Sequence, residues 1–192
     1  MIALIGAICQ IGYGLLAVMQ PWPAILNPGA EGLWIVVNIG MIAGLVGWAG
    51  VVAPGRTVTV GAVTASAGFL LRIVAALISV VEPSAEVLAL VLGSIGLTLA
   101  GIAVVAVGSF LVRSPRSGVA WVPALGFAVE LGLASMYSAA TELHFMLLGL
   151  LWGLVSLSIA VLVLTCSRST ADAVIVGNRA TAAHREERNA RA

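Results

Sequence analysis

Apolar residues run along this chain in blocks of 18 or more, separated by short stretches rich in Pro, Gly and charge. A helix needs about 20 apolar residues to cross roughly 30 Å of hydrocarbon, so each block is long enough to span a bilayer. Six blocks are present, at about 2–19, 33–52, 57–81, 87–112, 119–138 and 143–164. The fold class they predict is all-α: a polytopic membrane helix bundle of six transmembrane helices filling residues 1–165. Residues 166–192 form a polar tail rich in Ala, Arg and Glu, expected to be largely disordered or a short helix. The first block lacks a basic leading segment and a small-residue cleavage site, and reads as a retained helix.

The breaks carry their own signals. Pro21 and Pro23 close the first block around Trp22, Pro54-Gly55-Arg56 the second, Glu82-Pro83 the third and Arg113-Ser114-Pro115-Arg116 the fourth. With six helices, the breaks holding Arg56, Arg113 and Arg116 share a side with both termini. The other three carry Glu31, Glu82, Glu86 and Glu142 and no arginine. Basic residues in short loops stay on the cytoplasmic side, so both termini are expected to be cytoplasmic.

Composition agrees with this pattern and excludes a soluble domain. Hydrophobic residues make up 61% and charged residues 9% of the chain, against about 45–50% and about 25% in soluble proteins. All nine basic residues are arginine, a bias that points to a bacterial source and hence to a multi-pass protein of the inner cell membrane. From Arg168 onward five arginines face three acidic residues, too dilute a charge for nucleic acid but compatible with anionic lipid. The bilayer is thus the first partner expected, and the helix faces and the tail are where a membrane protein partner would bind.

One charge stands where charges are expensive. Arg72 lies near the middle of the third block, and an arginine at a helix centre in lipid costs about 2.5–3.5 kcal/mol. The comparable group of opposite sign is Glu130, in the fifth block. Arg72 follows Arg56 by sixteen residues and Glu130 follows Arg116 by fourteen. At a rise of 1.5 Å per residue these are about 24 Å and about 21 Å from the same end, so the two charges reach similar depth. Ala65, Gly68, Ala76 and Ser79 surround Arg72 at helical spacing; Gly126, Ala134 and Ser138 surround Glu130. Stripes of small residues face other helices, because they let backbones approach.

Two readings of the pair stay open at this stage. It is a structural pin that fixes helix partners, or a centre at which Arg72 takes a small anionic solute and Glu130 a proton or cation. Asn38 and Gln10 are supporting polar residues expected to bond between helices. Thr64, Ser66, Ser94, Thr98, Ser109 and Ser156 are expected to bond their own helix backbone four residues back. Gly40-x3-Gly44 and Gly149-x3-Gly153 match a close-packing motif between helices. Gly68-Phe69-x-x-Arg72 and Gly126-Phe127-x-x-Glu130 suggest that helices two and three are repeated in helices four and five.

Neither catalysis nor a cofactor is indicated. His144 and His184 fall on opposite sides, Cys9 and Cys166 form no metal-ligating cluster, and no hydrolase, zinc or nucleotide motif occurs. No metal and no cofactor are expected, and the chain reads as an accessory or scaffold subunit without enzymatic activity. The alternative is a small-solute transport component built on Arg72 and Glu130. The arginine within the third helix after Gly-Phe, with Pro/Arg turns on one side, resembles small uncharacterised six-helix proteins of bacterial inner membranes. In size and helix count it is also similar to the substrate-binding subunits of energy-coupling-factor vitamin transporters, a likeness of architecture alone.

Overall fold

A computed structural model describes residues 1–19, 28–79, 85–112, 117–135 and 146–169. They form six α-helices: α1 Ile2–Met19, α2 Pro28–Gly47, α3 Arg56–Ser79, α4 Ala85–Leu111, α5 Trp121–Ser135 and α6 Met146–Ser169. Four segments are long and apolar enough to cross a membrane: Gly32–Val52, Arg56–Ile78, Ala89–Leu111 and Met146–Ser169. The other two apolar helices are shorter within the described residues. The breaks at Pro21–Pro23, at Glu82 and at Arg113–Arg116, the positions of Trp22, Tyr137, Glu142, His144 and His184, and the tail from 170 lie outside those residues.

Several helix ends differ from the hydropathy blocks for local reasons. Pro28 opens α2 five residues before its apolar run, because a proline in the first turn has no intrahelical N–H bond to lose. At its far end α2 continues as a π turn, Trp48–Val52, in which Ala53 N–H donates to Trp48 O at 3.0 Å. Pro54 then ends the helix by holding Ala53 out of the helical region, at φ −136° and ψ 68°. A 3-10 turn, Ser117–Ala120, leads into α5, whose Pro123 falls in the first turn where it is tolerated. The last helix continues through Cys166 to Ser169, so the first four residues assigned to a polar tail are helical.

Contacts between helices give their directions. Gly6 lies against Gly40, and Tyr13 stacks at 5.4 Å on Trp34, so α1 and α2 are antiparallel. Gly61 meets Val105 and Gly68 meets Thr98, so α3 and α4 are antiparallel. The last helix runs against α1 through Gly14 and Gly149 and alongside α2 through the pairs Met41–Ser156, Gly44–Ile159 and Gly47–Val163. The start of α1 and the end of α6 therefore share one end of the bundle with the α2–α3 turn. Arg56 and Arg168 stand at that end; Glu31 and Glu86 fall in the first turns of α2 and α4, at the other.

Glycine sets these separations. A methyl group on Gly6 would lie 2.5 Å from Gly40 Cα, and one on Gly14 would lie 2.8 Å from Leu150 N. Such approach requires a glycine on at least one of the two backbones. An apolar core of Met41, Leu45, Trp48, Val58, Phe69, Ile102, Val105, Trp152 and Ile159 fills the bundle toward the arginine-bearing end. The outside is apolar too. Val60, Val63, Leu70, Val74 and Leu77 form one exposed stripe along α3; Leu151, Leu154 and Val161 form another on α6. In water such stripes would be charged; an outside as apolar as the core suits a bilayer.

Candidate functional site: a buried polar layer

Arg72 and Glu130 meet. The Arg72 guanidinium donates from Nη2 to Glu130 Oε1 across the α3–α5 contact. Both are buried, at 7% and 3% exposure. The second oxygen of the same carboxylate, Oε2, accepts from the indole Nε1 of Trp152 on α6. Both carboxylate oxygens therefore have a donor, one from each flanking helix.

Aromatic packing completes the cluster. Phe69, one turn before Arg72, lies with its ring centroid 5.2 Å from the guanidinium carbon, within cation–π range. It also meets Trp152 edge to face, with centroids 6.5 Å apart and planes at 79°. Four residues on three helices thus close a ring: Phe69 and Arg72 from α3, Glu130 from α5 and Trp152 from α6.

The small-residue stripe on α3 works beside this ring rather than within it. Gly68 faces α4, where an added Cβ would lie 2.8 Å from both Ser94 O and Thr98 N. A glycine Cα–H fits against such oxygens as a weak donor. Gly126 faces α6 instead, against Val155 and Trp152 at 3.2 Å and 3.4 Å from an added Cβ. The two Gly-Phe-x-x-charge segments therefore sit in different surroundings: Phe69 is buried against Trp152, while Phe127 is half-buried.

The other polar positions divide by helix face. Gln10 bonds between helices, its Nε2 donating to Leu148 O at 3.4 Å. Asn38 instead bonds its own helix, Nδ2 to Trp34 O at 2.7 Å, and its Oδ1 has no partner although the residue is 1% exposed. Thr64 and Ser156 donate to carbonyls four residues back and Ser94 to one three back. Ser109 accepts from Trp48 Nε1 at 3.0 Å across to α4. Ser66 and Thr98 hydroxyls are buried without a hydrogen-bond partner.

Helix register places most of these groups at one height. Gly14–Gly149 and Ile11–Gly153 put Gln10 opposite 153, and Met41–Ser156 puts Asn38 beside 153 on the parallel α2. Trp152 ties that height to Glu130 and, through Phe69, to the turn that carries Arg72. Gly68 ties it to Ser94 and Thr98 on α4. Every helix contributes at least one buried polar side chain to this layer.

Trp152 is the member that sequence reasoning missed. A tryptophan in mid-span, rather than at a membrane boundary, must find an acceptor for its N–H, and that requirement is legible. Trp48 obeys the same rule with Ser109. Among the described residues no group of three or more His, Cys, Asp or Glu could hold a metal ion.

The fold and the layer define an all-helical bundle with at least four membrane-length helices and a charged pair at its centre. Set against known protein families, curated proteins and solved structures, the chain matches none of them.

Proposed function

We propose that the protein is a multi-pass protein of a bacterial inner membrane, with six spans and both termini cytoplasmic, serving as a non-enzymatic accessory or scaffold subunit. The observation that carries this reading is the closure of Glu130. A carboxylate whose two oxygens accept from Arg72 and Trp152 is occupied in holding α3, α5 and α6 together. Buried ion pairs of this kind select helix partners more than they add net stability. The apolar outside leaves lateral helix faces as the contact surface for a membrane protein partner. The arginines at one end support the topology through the positive-inside rule.

Charge reversal tests the pin. Arg72→Glu and Glu130→Arg should each lower the yield of monodisperse protein, and the double exchange should restore a substantial part of it. A double variant as poor as the worse single would refute the reading. A reporter fused after Ala192 should be active only in the cytoplasm; periplasmic activity would overturn the orientation. Mild-detergent purification should recover a membrane protein in fixed ratio, and a partner-free particle from native membranes would refute the subunit assignment.

A second reading, a small-solute component, is favoured by one specific observation. Asn38 Oδ1 is a buried acceptor with no donor, at the height of a guanidinium whose one hydrogen-bond partner among the described residues is Glu130.

A further inference from the structure

We propose that the polar layer binds a small neutral solute that offers a carbonyl-type acceptor to Arg72 and an N–H or O–H donor to Asn38. The inference rests on the solute reading just given and fixes the class of solute.

The argument begins with Asn38. Its Nδ2 is committed to Trp34 O, a carbonyl that only accepts, so the orientation of the amide follows and the open atom is Oδ1. Leaving a buried acceptor without a donor is costly, and such groups are uncommon in native interiors. Asn38 shares its helix face with Trp34, Met41 and Leu45, spaced at −4, +3 and +7. Met41 contacts Ser156, so this face looks toward α6 at the height of Trp152. The group that satisfies Oδ1 must bring a donor.

Arg72 supplies the complementary half. A guanidinium has five N–H donors in a planar fork, and Glu130 engages Nη2 alone. The aromatic ring of Phe69 covers the carbon but accepts no conventional hydrogen bond. A molecule seated beside the guanidinium would offer an acceptor to the rest of the fork.

Charge then selects among solutes. Arg72 and Glu130 neutralise each other, and both carboxylate oxygens are occupied. A net anion would sit in a low-dielectric layer without a counter-charge of its own, and a cation would find no open carboxylate. A neutral molecule with adjacent acceptor and donor, such as a primary amide, meets both open groups without adding charge.

The test uses the full chain in nanodiscs with acetamide as the probe, sodium acetate as an anionic comparator, and thermal unfolding as the readout. Acetamide should raise the unfolding temperature saturably and acetate should not. Asn38→Leu should weaken the acetamide response about tenfold, the loss expected for one hydrogen bond to a buried acceptor. Without acetamide the same variant should unfold no lower than the parent, since it removes an orphaned polar group. Asn38→Ala serves as the second variant if leucine does not pack.

Three results would overturn the proposal: no saturable response to acetamide, an equal response to acetate, or an acetamide response unchanged in both Asn38 variants. The last is also the outcome for a resident water that merely fills the layer. The pin is read separately, from the yield of the Arg72/Glu130 exchange without probe, so either proposal can fail alone.

Discussion

Arg72→Met gives the sharpest test of how the ring is held together. The substitution removes the cation and leaves the Glu130 carboxylate buried, with Trp152 N–H as its one remaining donor. Breaking one side of a buried pair costs about 3–5 kcal/mol, because the other charge stays in low dielectric. Loss of the Phe69 contact adds about 0.5–2 kcal/mol. Arg72→Met with Glu130→Leu then removes the stranded charge, and replacing both partners of a buried pair is often near neutral. The double variant still orphans the Trp152 N–H, so a deficit of about 1–3 kcal/mol should remain. Adding Trp152→Phe should remove most of that deficit while keeping the edge-to-face contact with Phe69. The assay is thermal unfolding in detergent followed by size exclusion. For a chain of this length about 4 kcal/mol corresponds to a shift on the order of 10 °C. A single variant within about 2 °C of the parent would refute the claim that the carboxylate depends on Arg72. Strictly additive singles in the double would refute the coupling.

Packing and capping give further expectations. Gly6→Val should lower the unfolding temperature strongly, since even a methyl there would stand 2.5 Å from Gly40 Cα, whereas Gly93→Ala and Gly96→Ala meet nothing within 4 Å and should be neutral or slightly stabilising through helix propensity. Ser109→Ala should cost about 1–3 kcal/mol by orphaning the Trp48 indole, and the double variant with Trp48→Phe should recover much of it in a chemical-denaturation series. Native mass spectrometry of gently purified protein should show a small neutral adduct that Asn38→Leu loses.

Much of the helical frame was legible because period and length are robust signals. The first block matches α1 at both ends, and α3 and α4 begin within two residues of their blocks. The ends that moved include the starts of α2 and α5, where Pro28 and Pro123 stand in the first turn, a placement that hydropathy does not register. The last apolar block ends at Leu164 while the helix runs on to Ser169, because Ser167 and Arg168 are ordinary residues for a helix end and hydropathy does not mark where a helix stops. At the centre, equal depth from two flanking turns made it possible to consider Arg72 with Glu130. Trp152 is legible only as a need, since an indole N–H in mid-span requires an acceptor but spacing does not say that Glu130 supplies it. Asn38 illustrates a different limit: whether an amide bonds its own helix or a neighbour depends on a rotamer that sequence spacing does not encode.

The closure of the ring also has a timetable. Glu130 lies 58 residues after Arg72 in the chain, and Trp152 another 22 beyond it. At about 5–20 residues per second of synthesis, α3 exists for about 3–12 s before its counter-charge has been made. During that interval the α3–α4 contact through Gly61, Gly68 and Gly101 is the partner already at hand. Gly14 waits longer still, because the glycine it packs against, Gly149, belongs to α6. In biosynthetic terms the bundle grows as an open sheaf around α3 and α4 and is tied shut by α6. Truncation before Met146 should therefore leave Glu130 paired with Arg72 but without its Trp152 donor, and Gly14 without Gly149, a bundle that the quality-control machinery of the membrane can recognise as unfinished.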